Sequence, residues 1–114
     1  MKDDLLYVDH MLECIRRSEE YALGGRESFS ASTLVQDGVV RNLQVLAESS
    51  KRISSDCQQR HPEIPWRQMA GFRDVAVHEY FNLDLEYVWE IVSIDLPSLK
   101  GQILALRRDI SGAV

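Results

Sequence analysis

Residues 35–53 of the chain, VQDGVVRNLQVLAESSKRI, decide its fold class. Apolar side chains and one serine recur at three- and four-residue steps in the order Val35, Val39, Leu43, Leu46, Ser50 and Ile53. That spacing places them on one face of an α-helix. We therefore expect a long helix from about Ser32 or Thr33 to about Gln59, broken by the prolines that follow His61.

The rest of the chain has the same helical pattern. We expect a first helix capped by Asp3 or Asp4 and ending near Leu23, with residues 24–31 as a loop. A third helix is expected from Pro65 to around Tyr80, and a fourth capped by Asn82 or Asp84. The last helix carries the apolar repeat Leu96, Leu99, Ile103, Leu106 and Ile110. The prediction is one all-α domain over residues 1–114, an up-and-down bundle of about five helices.

Composition bounds the classes of function. A net charge of −5 argues against a protein that coats nucleic acid without specificity, since such a protein needs a broad basic surface. Lys2 is followed by two aspartates rather than by an apolar run, and no stretch approaches the length of a membrane span. We expect a cytoplasmic protein without a membrane segment.

The ligand-type side chains are sparse. Cys14 and Cys57 lack metal-type spacing, so in a reducing compartment we expect free, buried thiols rather than a disulfide. His10 and Cys14 lie four residues apart, but nothing else at ligand spacing supports a metal site. No metal and no cofactor is predicted.

Charge is distributed unevenly along the chain. Basic residues dominate between Lys51 and Arg73, whereas the following residues up to Leu99 include acidic side chains and no lysine or arginine. The basic stretch could line a cleft for a polyanion. The alternative is an ordinary solvated helix end.

The segment Arg73–Tyr80, RDVAVHEY, carries the groups best suited to chemistry. Arginine fits phosphate oxygens, histidine exchanges protons near neutral pH, and tyrosine can accept a modification. Helical spacing places Arg73 within an apolar stripe, where a structural ion pair with a neighbouring helix would equally explain it. Arg73 and His78 lie about 140° apart on an ideal helix, so they converge only at a helix end, through the long arginine side chain, or with help from a second copy.

Residues 64–103 resemble a known family. Arg73, Asp74, His78 and Tyr80 match the motif of the HepT-like branch of the HEPN proteins, in which the polar second position is commonly asparagine. Residues 36–54, QDGVVRNLQVLAESSKRIS, resemble the second helix of that family, with Arg41, Asn42 and Glu48 in place. The resemblance covers most of the chain.

This resemblance implies a metal-independent ribonuclease toxin that acts as a homodimer with a shared basic cleft. His78 would exchange protons, Arg73 would bind the phosphate, and Asp74 would hold one of them in position. The implied partner is an MntA-like nucleotidyltransferase antitoxin, and the implied site of adenylylation is Tyr80. Two alternatives remain: Tyr80 merely completes the apolar stripe, or the whole chain is a non-catalytic module that binds a protein or a nucleotide.

Overall fold

The chain is all-α. The computed structural model describes residues 2–78 and 84–112, with Lys2 and residues 75–78 described by their backbone alone. The helices are α1 (Lys2–Tyr21), α2 (Gly25–Ala31), α3 (Thr33–Lys51), α4 (Ser55–Arg60), α5 (Trp66–His78), α6 (Leu85–Glu90) and α7 (Leu96–Ile110), with a π-helical turn at Ile91–Asp95 between the last two. No β-strand occurs in the described ranges, so the predicted fold class is confirmed.

The bundle is organised around α3. This helix packs against both α1 and α5, while α1 also packs against α7. Each long helix contributes buried apolar side chains to one core, among them Met11, Ile15, Leu43, Leu46, Phe72 and Ile103. Burial of this kind, rather than helix propensity, supplies most of the stability of short helices in a bundle.

The start of α1 differs from its prediction. The helix begins at Lys2, so Asp3 and Asp4 lie in its first turn and neither is its N-cap. Asp4 is instead buried, and its carboxylate accepts hydrogen bonds from Ser54 N at 2.7 Å and from Ser54 Oγ at 2.7 Å. A side chain from the N-terminus therefore determines where α4 begins.

Two further predictions about helix bounds were wrong. The long helix predicted to reach about Gln59 ends at Lys51, and the shorter α4 follows a break. The predicted cap of α3 is confirmed, because Ser32 accepts a hydrogen bond from Val35 N at 3.2 Å. Residues 25–31, expected as a loop, form α2 because Phe29 is buried and its ring lies 5.3 Å from that of Trp89. A tertiary aromatic contact thus stabilises a helix too short to persist alone.

The last third of the chain follows its predicted pattern with one addition. Asp84 caps α6 by accepting from Tyr87 N at 3.1 Å, whereas Asn82, the other predicted cap, lies outside the described residues. Pro97 has no N–H and so cannot donate a hydrogen bond within the helix. The N–H of the preceding Leu96 bonds to the carbonyl of Ile91, five residues back, which is the spacing of a π-helix. The apolar repeat of α7 is confirmed: its first four members are buried and Ile110 packs against the core.

Candidate functional site

Helix α5 presents the first two motif residues to solvent. Its inner face is held by Met69 and Phe72, which are buried in the core. Arg73 and Asp74 follow directly and are exposed. The helix starts after Pro65, and Trp66 anchors it by donating from Nε1 to the carbonyl of His61 at 3.0 Å.

The sequence predicts Arg73 within an apolar stripe of α5. In the structure Arg73 is exposed and lies outside the buried face of that helix. The buried face of α5 centres between Met69 and Phe72, so Arg73 lies at its solvent-facing margin. Among the residues that the structure describes, Arg73 forms no hydrogen bond or ion pair. The described residues therefore do not supply the ion pair with a neighbouring helix that was the alternative explanation for Arg73.

The remaining motif residues are described only in part. His78 is the last residue of α5, and only its backbone is described. Tyr80, and with it the predicted end of the helix, lies outside the described residues. Because Arg73 and His78 share one regular helix, the offset of about 140° between their Cα–Cβ directions applies to their backbone positions.

The basic side chains from Lys51 to Arg67 are exposed rather than gathered into a cleft within the described chain. Arg60 pairs with Asp56 at 3.2 Å, and the guanidinium of Arg52 lies 5.8 Å from the ring centroid of Tyr7. Lys51 and Arg67 are also exposed. These contacts are typical of solvated helix ends, the second of the two predicted interpretations.

His61 has a structural role that the sequence pattern does not indicate. Its side chain is 10% exposed, Nδ1 lies 2.9 Å from the carbonyl oxygen of Cys57, and Nε2 lies 3.2 Å from Asp109 Oδ2. The nearby Cys57 thiol is buried, and burial raises its pKa, so it stays protonated and is a poor nucleophile. The cluster links α4 to α7 as a structural contact, and only the tertiary fold brings its three residues together.

Neither a metal site nor a membrane span is found among the described residues. There, no group of three or more His, Cys, Asp and Glu side chains is arranged to hold a metal ion. Cys14 is buried as a free thiol, with a pKa raised to about 11 by that burial, while His10 is exposed. No helix in this part of the chain combines the length and apolar character needed to cross a membrane.

Comparison with known proteins shows the family of the chain. The family model described as "Ribonuclease HepT-like" matches residues 11–106. A probable ribonuclease HepT of Thermococcus cleftensis is 40% identical over 103 residues, which are 90% of this chain and 94% of the relative. A Methanocaldococcus jannaschii protein named as an RNase is 33% identical over 110 residues, covering 96% of this chain and 86% of its own length.

A longer relative shares the same region. It is a Methanocaldococcus jannaschii protein whose name combines gamma-glutamylcyclotransferase with RNase, and it is 34% identical over 110 residues. The match covers 96% of this chain but only 50% of that relative. No solved structure shows a significant match to the chain. The extent of the family match and the identity to full-length relatives show that this chain belongs to the HepT-like ribonuclease family.

Proposed function

We propose that the chain is a metal-independent endoribonuclease and the toxin of a prokaryotic toxin–antitoxin pair, acting in the cytoplasm as one domain over residues 1–114. The observation that carries the proposal is the exposed Arg73, without an ion pair among the described residues, at the first motif position of a chain in the HepT-like family. A guanidinium that has no partner among the described residues can bind a phosphodiester.

The proposed chemistry uses the nucleophile that RNA itself carries. The 2′-hydroxyl attacks the adjacent phosphorus, the bond to the 5′-oxygen breaks, and a 2′,3′-cyclic phosphate forms. His78 takes the proton of the 2′-hydroxyl while water protonates the departing 5′-oxygen, or the two roles are exchanged. Either role contributes about 10²- to 10⁴-fold to the rate. Arg73 binds the phosphate oxygens and stabilises their added charge in the transition state. Asp74 acts as a positioning residue, in place of the asparagine common in the family.

A homodimer is part of the proposal. The backbone offset between Arg73 and His78 makes it difficult for one helix to aim both at a single phosphate. A two-fold partner would place a second Arg73 and a second His78 around the same cleft. Light scattering should give about twice the chain mass of 13.1 kDa, and a monomer at micromolar concentration would rule out the shared cleft.

Control by a nucleotidyltransferase antitoxin completes the proposal. Adenylylation of Tyr80, two residues beyond His78, would add a bulky anion beside the phosphate-binding groups and oppose RNA by charge and volume. Mass spectrometry of protein co-expressed with such an MntA-like enzyme should find AMP on Tyr80. Tyr80→Phe should escape modification and keep cleaving, whereas a neutralised complex with unmodified Tyr80 would indicate inhibition by occlusion.

The central test is cleavage of total RNA in the presence of EDTA. The wild type should cleave and leave cyclic phosphate ends, while His78→Ala and Arg73→Ala should each lower the rate by about 10² or more. Arg67→Ala is the matched control, because Arg67 is an exposed arginine of the same helix outside the motif. Cleavage that requires a divalent ion, or that survives both motif substitutions, would contradict the assigned roles.

A non-catalytic binding module is the second candidate. It is favoured by the net charge of −5 and by the number of arginines that are neutralised within the chain, namely Arg16, Arg17, Arg26, Arg60 and Arg107. Such a module would leave RNA intact under every condition of the cleavage assay. The same experiment therefore separates the two functions.

A further inference from the structure

A groove of about 410 Å³ lies between α1 and α3, away from the motif residues of α5. Its lining includes His10, Arg17 and Tyr21 from α1, and Gly38, Arg41 and Asn42 from α3. Its volume falls within the range of small-molecule sites. None of these six residues belongs to the Arg73–Tyr80 segment.

The shape of the groove depends on a glycine. A Cβ atom at position 38 would lie 2.7 Å from Tyr21 Cζ, so only glycine lets the tyrosine ring lie against the backbone of α3. Asn42 strengthens the same place by donating from Nδ2 to the carbonyl of Gly38 at 2.8 Å. One wall of the groove is therefore formed by the partly exposed ring of Tyr21, which lies against the backbone of α3.

The charges of the groove are unequal. Arg17 is already paired, since its Nε lies 3.0 Å from a Glu13 carboxylate oxygen that Arg16 also contacts at 2.8 Å. Arg41 is exposed and has no hydrogen bond or ion pair with any other part of the described chain. Glu13 also lines the groove, with its carboxylate held by Arg16 and Arg17. The groove thus presents one guanidinium without an ion pair among the described residues, that of Arg41, beside hydrogen-bonding groups on His10, Tyr21 and Asn42.

We infer that this groove is a second phosphate subsite for RNA, in which Arg41 binds a phosphate of the strand other than the one that is cleaved. The inference rests on the proposed ribonuclease function. Helix α3 lies between α1 and α5, and a helix is about 10 Å across. In this inference a single strand bound at Arg73 continues over α3 to Arg41, and Arg41 acts as a positioning residue.

The test measures binding with an RNA that cannot be cleaved. A fluorescently labelled, fully 2′-O-methylated single strand has no 2′-hydroxyl to attack, so its affinity is independent of the proposed chemistry. Arg41→Gln should weaken binding about tenfold and reduce the slope of log K against log[salt] by about 0.7. Arg108→Gln is the matched control, because Arg108 is an exposed arginine on α7 that forms no side-chain ion pair with the described residues, and its affinity should stay within about twofold.

Cleavage kinetics supply a second readout. Arg41→Gln should raise KM for unmodified RNA about tenfold and leave kcat unchanged, since it contacts the strand away from the reacting phosphate. Unchanged affinity in Arg41→Gln, or an equal loss in Arg108→Gln, would overturn the inference. The inference would also be overturned if Arg41→Gln lost affinity and changed its mass in light scattering, because the groove would then be a contact between two copies of the chain. An affinity for inorganic phosphate that depends on Arg41, with RNA binding unaffected, would also overturn it.

The inference and the proposed function can fail separately. RNA binding that depends on Arg41 in a protein that cuts no RNA would keep the subsite and remove the ribonuclease activity. Cleavage that depends on His78 and Arg73 but is indifferent to Arg41 would do the reverse.

Discussion

Replacing Asp4 by alanine should destabilise the whole bundle, although Asp4 lies only three residues from the start of the chain. Asp4 is 2% exposed, and its carboxylate accepts two hydrogen bonds of 2.7 Å from Ser54. The hydroxyl of Ser54 in turn accepts from Cys57 N at 3.2 Å, which caps α4. The substitution therefore removes a link between α1 and the start of α4.

The magnitude follows from these contacts. Hydrogen bonds to a charged group contribute about 1.5–3 kcal/mol each, they are not fully additive, and a buried N–H left without a partner costs a further 1–3 kcal/mol. We expect a loss of about 3 kcal/mol in the free energy of unfolding, out of about 5–15 kcal/mol for a domain of this kind. An unfolding entropy of about 2.1 cal/mol/K per residue over 114 residues converts this loss into a fall in Tm of about 12 °C.

The assay is urea and thermal unfolding followed by circular dichroism, with Asp3→Ala as the matched control. Asp3 lies in the same helical turn but is exposed, so its loss should remove only a helix-dipole contribution of about 0.3–1 kcal/mol. The double variant Asp4→Ala, Ser54→Ala should lose less than the sum of the single variants, because both remove the same contact. Equal stability of Asp3→Ala and Asp4→Ala would refute the assignment of this link.

Three other outcomes are expected. Gly101→Ala, with no atom within 4 Å of the added Cβ, should gain about 0.5–1 kcal/mol in unfolding experiments, because alanine is the better helix former. Gly38→Ala should gain less, because its Cβ would lie 2.7 Å from Cζ of Tyr21 and would displace that exposed ring; equal effects would contradict the close approach. Iodoacetamide at pH 8 should modify neither cysteine before unfolding, since burial raises the pKa of Cys14 to about 11 and also raises that of Cys57, and mass spectrometry of native and urea-treated protein checks this. The carboxyl of Glu13 should titrate in NMR near its lowered pKa of about 2, because Arg16 and Arg17 bond to the ionised form. Its stabilising contribution is then complete above the ordinary pKa of 4.5 and lost as pH falls towards 2; a midpoint near 4.5 at low salt would show that the pairs do not form in solution.

Local sequence determined the features whose causes are local. The caps of α3 and α6, Ser32 and Asp84, bond to backbone groups three residues away, so the chain around them contains all the information needed. The apolar repeat of α7 predicts its buried face for the same reason, since helical periodicity depends only on neighbouring residues. The candidate motif was likewise found from residue types and spacing, and its first two residues are exposed on one helix.

Tertiary structure decided the features that depend on distant partners. Helix α3 stops before α4 where Asp4, 50 residues away in sequence, bonds to Ser54, and α2 is helical where Phe29 meets Trp89. The tertiary structure also decides which side of α5 faces the core, and therefore that Arg73 is exposed. Periodicity alone predicted Arg73 on the buried side, which was wrong. The groove beside Arg41 has the same origin, because its walls come from two helices whose approach depends on Gly38 and Tyr21 together. Hydrogen bonds and packing between residues far apart in sequence are created by the fold as a whole, so no local pattern encodes them.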